Sequence, residues 1–201
     1  KPSVAKEFAK ILKVNSSSRD GYIENENYVV TWCVGHLVTM SYPEVYDENL
    51  KFWRLDTLPF MPKEYKYEVI PSVEKQFNTV KNLLKRDDVE SIYVATDSGR
   101  EGEYIQRLVF MMAKPNPKAI MKRVWIDSQT EEAIFNGIRD AKDWTEYDNL
   151  SDAAYLRAKE DYLMGINFSR ILTLKYGYAT QNFLKAEKRG AVSVGRVMTC
   201  V

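Results

Sequence analysis

Histidine and cysteine are scarce in this sequence, which has one histidine, His36, and two cysteines, Cys33 and Cys200, among its 201 residues. Because a structural zinc site needs about four Cys or His ligands, these residues cannot build one by themselves. The cysteines lie too far apart to form a metal-type pair. We expect both to be small core residues in a reducing compartment.

Long apolar runs and an excess of either charge are also missing. No segment approaches the roughly 20 apolar residues that cross a bilayer, and no secretory signal is recognisable, so we predict a cytoplasmic protein without membrane association. The 29 Lys and Arg residues balance 28 acidic ones. A DNA-binding face would therefore require basic groups segregated on one side. The abrupt start at Lys1 and end at Val201 indicate a fragment.

Strand and helix patterns alternate over the first 145 residues. Alternating or short apolar runs predict strands, and apolar faces with a 3.6-residue period predict helices. The predicted strands are 28–34, 65–70, 91–96 and 124–126, and the predicted helices are 4–12, 73–84, 103–113 and 130–141. This order indicates an α/β domain with a parallel sheet flanked by helices. From about 150 to 183 the pattern is helical, so we predict a mainly helical second domain over 146–201.

The most informative segment is an acidic, glycine-rich turn that follows the predicted strand 91–96: Asp97-Ser98-Gly99-Arg100-Glu101-Gly102-Glu103. Open α/β sheets bind ligands at the carboxyl ends of their strands. Carboxylates there suit Mg²⁺, which takes one or two of them beside water and phosphate, and Arg100 suits a phosphate. The competing interpretation is that the acids only cap the following helix while Arg100 pairs with one of them.

The same segment resembles the Toprim signature, Asp-x-Asp-Arg-Glu-Gly-Glu, with Gly99 in place of the second aspartate. Other segments resemble type IA DNA topoisomerases of the topoisomerase III kind, in this chain order: Lys1-Pro2-Ser3, Gly35-His36-Leu37, Thr130-Glu131-Glu132-Ala133-Ile134 and Ser193-Val194-Gly195-Arg196. The resemblance implies a Toprim (Rossmann-like) domain over 1–145, with its first strand missing or truncated. The start of a helical DNA-binding domain would follow over 146–201.

The resemblance also implies which residues act on metal and phosphate. Asp97 and Glu101 would hold Mg²⁺, and Glu103 is a further candidate. Because Gly99 replaces an acid, coordination by two aspartates is left open. Lys1, Arg100 and Glu101 would act at the scissile phosphate, where fixed positive charge stabilises the transition state. The general-acid glutamate and the nucleophilic tyrosine of the family would lie outside this chain. The single histidine, at position 36, is interpreted as a structural or hydrogen-bonding residue and not as a catalytic one.

Four residues of the second domain are implied as DNA contacts, namely Arg157, Arg170, Ser193 and Arg196. Backbone phosphates attract such basic side chains without reading the base sequence. For Arg157 an i, i+4 ion pair with Asp161 is an equally good explanation.

For the intact enzyme the resemblance implies ATP-independent relaxation or decatenation of DNA through a transient 5′-phosphotyrosine. The 201-residue chain alone is expected to be inactive. Single-stranded DNA is the expected partner, a helicase is a candidate partner, and a monomer associated with a bacterial nucleoid is expected. Two alternatives stay open. One is a Toprim nuclease or primase that transfers phosphoryl groups without a tyrosine, and the other is a non-enzymatic single-strand-binding module.

Overall fold

The structure is a computed structural model that describes residues 1–14, 18–185, 187–188 and 190–195. The α-helices of this part are α1 (Pro2–Ile11), α2 (Glu74–Leu84), α3 (Arg100–Ala113), α4 (Glu131–Arg139) and α5 (Asp148–Leu184). The strands are β1 (Ser18–Arg19), β2 (Tyr22–Glu24), β3 (Val29–Thr31), β4 (Val38–Met40), β5 (Tyr67–Val69), β6 (Ser91–Val94), β7 (Ile120–Arg123) and β8 (Lys142–Asp143).

The described residues form two compact units. The first contains Lys1–Thr39 and Glu68–Ala154, and the second contains Met40–Tyr67 and the described residues from Tyr155 onward. This division differs from a single boundary near residue 145, because residues 40–67 pack with α5. Asn167 on α5 accepts a hydrogen bond from the Phe60 N–H at 2.6 Å and donates one to the Phe60 carbonyl at 2.9 Å. These hydrogen bonds join residues 40–67 to α5, although more than a hundred residues separate Phe60 from Asn167.

A three-stranded sheet of order β6-β7-β8 lies in the first unit. Strands β6 and β7 run parallel, with Val94 opposite Arg123, and β8 is antiparallel to β7. The parallel pair and its flanking helices confirm the predicted α/β class. Helices α1 and α4 contribute Phe8 and Ile134 to a buried cluster that also contains Val124. The apolar helix faces recognised in the sequence are therefore the faces that the fold buries.

The prediction of a strand over 124–126 was wrong, because β7 ends at Arg123. Val124 belongs to the core, with 1% of its surface exposed, so this apolar run marks burial and not sheet pairing. The strand itself contains Lys122 and the fully buried Arg123, a composition that an apolar pattern does not detect. Strand β6 is not buried on both faces, since Tyr93 is 44% exposed.

A groove of about 700 Å³ in the first unit is bordered by two sheet edges. Its lining includes residues 28–33 around β3 and residues 91–96 around β6, together with Lys1 and Phe8. Strand β3 ends the sheet of order β1-β2-β3, and β6 ends the sheet of order β6-β7-β8. Within the described ranges, each strand thus has one edge without a strand partner, and such an edge is a template for a further strand.

Helix α5 is 37 residues long and anchors the last described segment of the second unit. The N–H groups of Val192 and Val194 donate to the hydroxyls of Thr173 and Ser169, each at 2.8 Å. In the part of the chain that the structure covers, no helix, α5 included, combines the length and the apolar character needed to cross a membrane.

Candidate metal and phosphate site

The acidic turn joins β6 to α3, and its main chain is tightly held. The Asp97 carbonyl accepts hydrogen bonds from the Gly99 N–H at 3.0 Å and from Arg123 Nη2 at 2.8 Å. Gly102, in the first turn of α3, packs against the Asp97 backbone so closely that a Cβ there would lie 2.0 Å from the Asp97 carbonyl oxygen. Only glycine permits this approach. The close backbone contact at Gly102 is therefore made with the chain itself.

The Asp97 side chain, in contrast to its main chain, is open to solvent. Its carboxylate lies 3.8 Å from Lys1 Nζ, and the two side chains are 68% and 70% exposed. In water such a pair contributes little to stability. The structure thus brings together two residues that the sequence placed in the site, and leaves both accessible to a ligand. Arg100, the first residue of α3, is also exposed.

Glu101 contacts His36, for which a structural or hydrogen-bonding role was predicted. Glu101 Oε1 lies 2.6 Å from His36 Nε2, and the two side chains are 74% and 37% exposed. The imidazole also meets the ring of Tyr104 edge to face, with centroids 6.1 Å apart. The Gly-His-Leu segment therefore reaches the acidic turn, which places His36 beside a predicted metal ligand. The Gly-His-Leu segment and the acidic turn both belong to the resemblance to topoisomerases, which was the available sequence signal. Their contact could not be predicted from local patterns, because the two residues are 65 positions apart in sequence.

Glu103, the further candidate for a metal ligand, lies in the core, and its role as a ligand stays a prediction. Its carboxylate is fully buried and accepts hydrogen bonds from Arg107 Nε and Gln106 Nε2 at 2.8 Å and from Arg123 Nε at 3.0 Å. Two guanidinium groups thus compensate one buried carboxylate. Arg107 also donates to Asp148 Oδ1 at 2.7 Å. Glu103 is consequently the centre of a buried ionic network and is closed to solvent.

Arg123 was not predicted as a functional residue, yet it has the most main-chain contacts of this network. Its Nη1 donates to the carbonyls of Val94, Thr96 and Val124 at 3.1, 2.9 and 2.8 Å. Burial lowers the pKa of Arg123 from its ordinary value, and the bond to Glu103 opposes this shift. No local pattern identifies such a residue, because its partners lie on β6, on the turn and on α3.

Comparison with known proteins identifies the family. The Toprim domain family matches residues 1–128, which include Lys1, His36, the acidic turn and Arg123. The chain belongs to the Toprim family. It is 45% identical over 199 residues to proteins named DNA topoisomerase 3 from Staphylococcus aureus strains MRSA252 and USA300, and 44% identical to a putative DNA topoisomerase 3 from strain bovine RF122. These alignments cover 99% of this chain, which spans 26% of the length of those relatives. The predicted resemblance to topoisomerase III is thereby confirmed.

The exposed carboxylates of this Toprim domain suit a hard divalent cation. Mg²⁺ typically uses one or two protein carboxylates and completes its shell with water and phosphate oxygens. Asp97 and Glu101 meet this requirement, since both are exposed on the turn. Among the described residues, no group of three or more His, Cys, Asp or Glu side chains forms a ready cage for a metal. The donors thus fit a metal held jointly by protein and phosphate.

The predicted DNA contacts of the second unit have different environments. Arg157 is partly buried on α5, and Ser193 is exposed in the segment that α5 anchors. Arg170 is only 5% exposed and lies over the Trp53 ring, 5.5 Å from its centroid. At this burial only a small part of the Arg170 side chain is open to solvent, and its contact with a DNA phosphate stays a prediction. Arg196 lies outside the described residues.

Proposed function

We propose that the chain is the metal- and phosphate-binding part of a type IA DNA topoisomerase of the topoisomerase III kind. The complete protein would relax or decatenate DNA without ATP through a 5′-phosphotyrosine in single-stranded DNA. The observation that carries the proposal is the exposed pair of Lys1 and Asp97, together with the exposed Glu101 of the same turn. The 45% sequence identity to proteins named DNA topoisomerase 3, in alignments that cover 99% of the chain, supports the proposal.

Lys1 and the exposed residues of the turn each have a defined role in this proposal. Lys1 contributes a point charge that stabilises the negative phosphate during strand cleavage and resealing. Arg100 offers a planar fork to a neighbouring phosphate at the start of α3, where the helix dipole also favours anions. Asp97 and Glu101 would hold a divalent cation, which we take to be Mg²⁺ and which supplies electrostatic positioning of the phosphate. The nucleophilic tyrosine would be supplied from outside this chain.

We also propose that a strand preceding Lys1 in the complete protein lies in the groove between β3 and β6. The resemblance predicts such a strand. Two features of the first unit support it: both strands offer an edge without a strand partner, and Lys1 lines the same groove. Association of the complete protein with a helicase, its monomeric state and its location at the nucleoid stay predictions.

The test of the proposed function is Asp97→Asn in the complete protein. We expect the covalent complex with single-stranded DNA to form but to reseal poorly, with at least a tenfold loss of decatenation, an amount typical when one electrostatic group is removed from a catalytic site. Formation and reversal of the complex are followed on denaturing gels with labelled oligonucleotides, with and without Mg²⁺. Asp140→Asn is the matched control, because Asp140 is an exposed aspartate that pairs with Arg139.

Three outcomes contradict the proposal in different ways. Cleavage by the wild-type protein without any covalent complex indicates a nuclease. Unchanged resealing in the Asp97→Asn variant, with unchanged binding of single-stranded DNA, indicates a binding module. A covalent complex formed by the 201-residue chain alone shows that the nucleophile lies within it.

A further inference from the structure

Arg123 holds the carbonyl groups that lead into the acidic turn. Its Nη1 and Nη2 atoms together donate to the carbonyls of Val94, Thr96 and Asp97, at 2.8 to 3.1 Å. The side chain reaches them from β7, the parallel neighbour of β6, and is 0% exposed. The last residue of β6, Thr96 after it and the first residue of the turn are consequently held by one group.

This fixation determines how the Asp97 carboxylate is presented. The Asp97 main chain is held by Arg123, by the Gly99 N–H and by contact with Gly102. The side chain then has only its own torsions left, and it is directed to solvent beside Lys1. A metal ligand that is held in place before the ion arrives loses less conformational freedom on binding, so the affinity of the site depends on the groups behind the ligand.

Only a guanidinium group can make this set of contacts. Arginine carries five N–H donors in a rigid plane, whereas lysine carries a compact ammonium on a flexible stem. Arg123 donates from this plane to the Glu103 carboxylate on one side and to the carbonyls of residues 94, 96 and 97 on the other. A lysine would keep the buried positive charge opposite Glu103 but could not keep all of these bonds.

We propose that Arg123 is a positioning residue of the metal site, which acts on Asp97 through the main chain and never touches metal or DNA. This inference rests on the proposed function, because it takes Asp97 as a ligand of a divalent cation. It goes further by assigning the geometry of that ligand to a buried arginine on the neighbouring strand.

Arg107 provides a control from the same ionic network. It is also buried, and it donates to Glu103 Oε1, to Asp148 and to the Trp144 carbonyl. None of these hydrogen bonds reaches the carbonyls of Val94, Thr96 and Asp97 that Arg123 holds. Replacing either arginine by lysine disturbs the charge balance around Glu103, but only the change at Arg123 releases Asp97.

The experiment measures Mn²⁺ binding to the complete protein and to its Arg123→Lys and Arg107→Lys variants. Free Mn²⁺ is measured by electron paramagnetic resonance in cooled liquid solution. Near-ultraviolet circular dichroism at the same temperature confirms that each variant is folded. We expect both variants to be less stable to urea. We expect Mn²⁺ affinity to fall about 10- to 100-fold in Arg123→Lys, as is usual when a partner of a metal ligand is lost, and to stay within about twofold of wild type in Arg107→Lys.

Equal Mn²⁺ affinity in wild type and Arg123→Lys overturns the inference, and so does an equal loss in both variants. If the wild-type protein binds no Mn²⁺, the proposed metal site itself is wrong, a result distinct from the other two. Should Arg123→Lys fail to fold, Glu103→Gln replaces it. That change keeps the shape of the side chain while weakening its hold on Arg123, and an affinity equal to wild type would likewise overturn the inference.

Discussion

Gly99 and Gly102 flank the start of α3 and show how differently two glycines of one turn are used. Gly99 has an extended backbone with φ 172°, and a Cβ there would meet nothing within 4 Å. Gly102 faces the Asp97 backbone at a distance that excludes any side chain. Gly102 is therefore required by the fold of the turn, whereas Gly99 is a free position that could carry the aspartate of the related signature.

At the residue scale we accordingly expect opposite results from Gly99→Asp and Gly102→Ala. Gly99→Asp is expected to fold normally and to bind Mn²⁺ about fivefold more tightly or better, since two unit charges about 4 Å apart attract by about 1 kcal/mol even in water and a divalent ion doubles that attraction. Gly102→Ala is expected to lose about 1–3 kcal/mol in urea unfolding because of overpacking, and to bind Mn²⁺ more weakly. Gly99→Asn, which adds size without charge, is the control. Destabilisation by Gly99→Asn as large as that of Gly102→Ala would refute the assignment.

Helix α4 shows at the element scale how a local signal and a tertiary contact cooperate. Thr130 Oγ1 accepts a hydrogen bond from the Ala133 N–H at 3.3 Å, and two glutamates occupy the first turn. Thr130, the first residue of the helix predicted over 130–141, is therefore its N-cap. The helix then buries Ile134 completely, and Gly137 approaches Ile126 so closely that a Cβ would lie 2.3 Å from that side chain. The cap fixes where α4 begins, and the core contact fixes which face is buried.

We expect Thr130→Ala to lower the free energy of unfolding by about 1 kcal/mol, the usual loss for an N-cap hydroxyl. Thr130→Ser keeps the hydroxyl and is expected to lose much less. Urea denaturation followed by circular dichroism gives both values. A serine variant as unstable as the alanine variant would show that the threonine methyl group, and not the cap, accounts for the loss.

At the scale of the whole molecule, sequence order and spatial grouping do not coincide. Residues 40–67 run from the last residue of β4 to the first residue of β5, yet they belong to the second unit with most of α5. In that unit the Tyr162 hydroxyl donates to the Ser41 carbonyl at 2.6 Å. Composition could not reveal this grouping, because the pairs that create it join segments more than a hundred residues apart. The groove of the first unit also belongs to this scale, because its lining comes from two different sheets. Local sequence patterns predict each strand separately and cannot show that the edges of the two sheets border one groove.

We expect an extension of the chain by the residues that precede Lys1 in the complete protein to fill this groove. Pairing with β3 and β6 and burial of the groove lining should raise the thermal midpoint by several degrees, at about 2–4 °C for each kcal/mol gained. The control is the same extension with prolines at alternate positions, which cannot donate ladder hydrogen bonds. An equal rise with both extensions, or no rise at all, would show that no strand enters the groove.

The sequence by itself determined the α/β alternation, the position of the acidic turn and the cap of α4, because each depends on neighbours within a few residues. It could not determine the register of β7 or the environment of the acids. Glu101 and Glu103 stand two residues apart, about 200° around a helix, so they must face opposite sides. Which of them is buried was decided by Arg107 and Arg123, and only the tertiary structure brings those two arginines to one carboxylate.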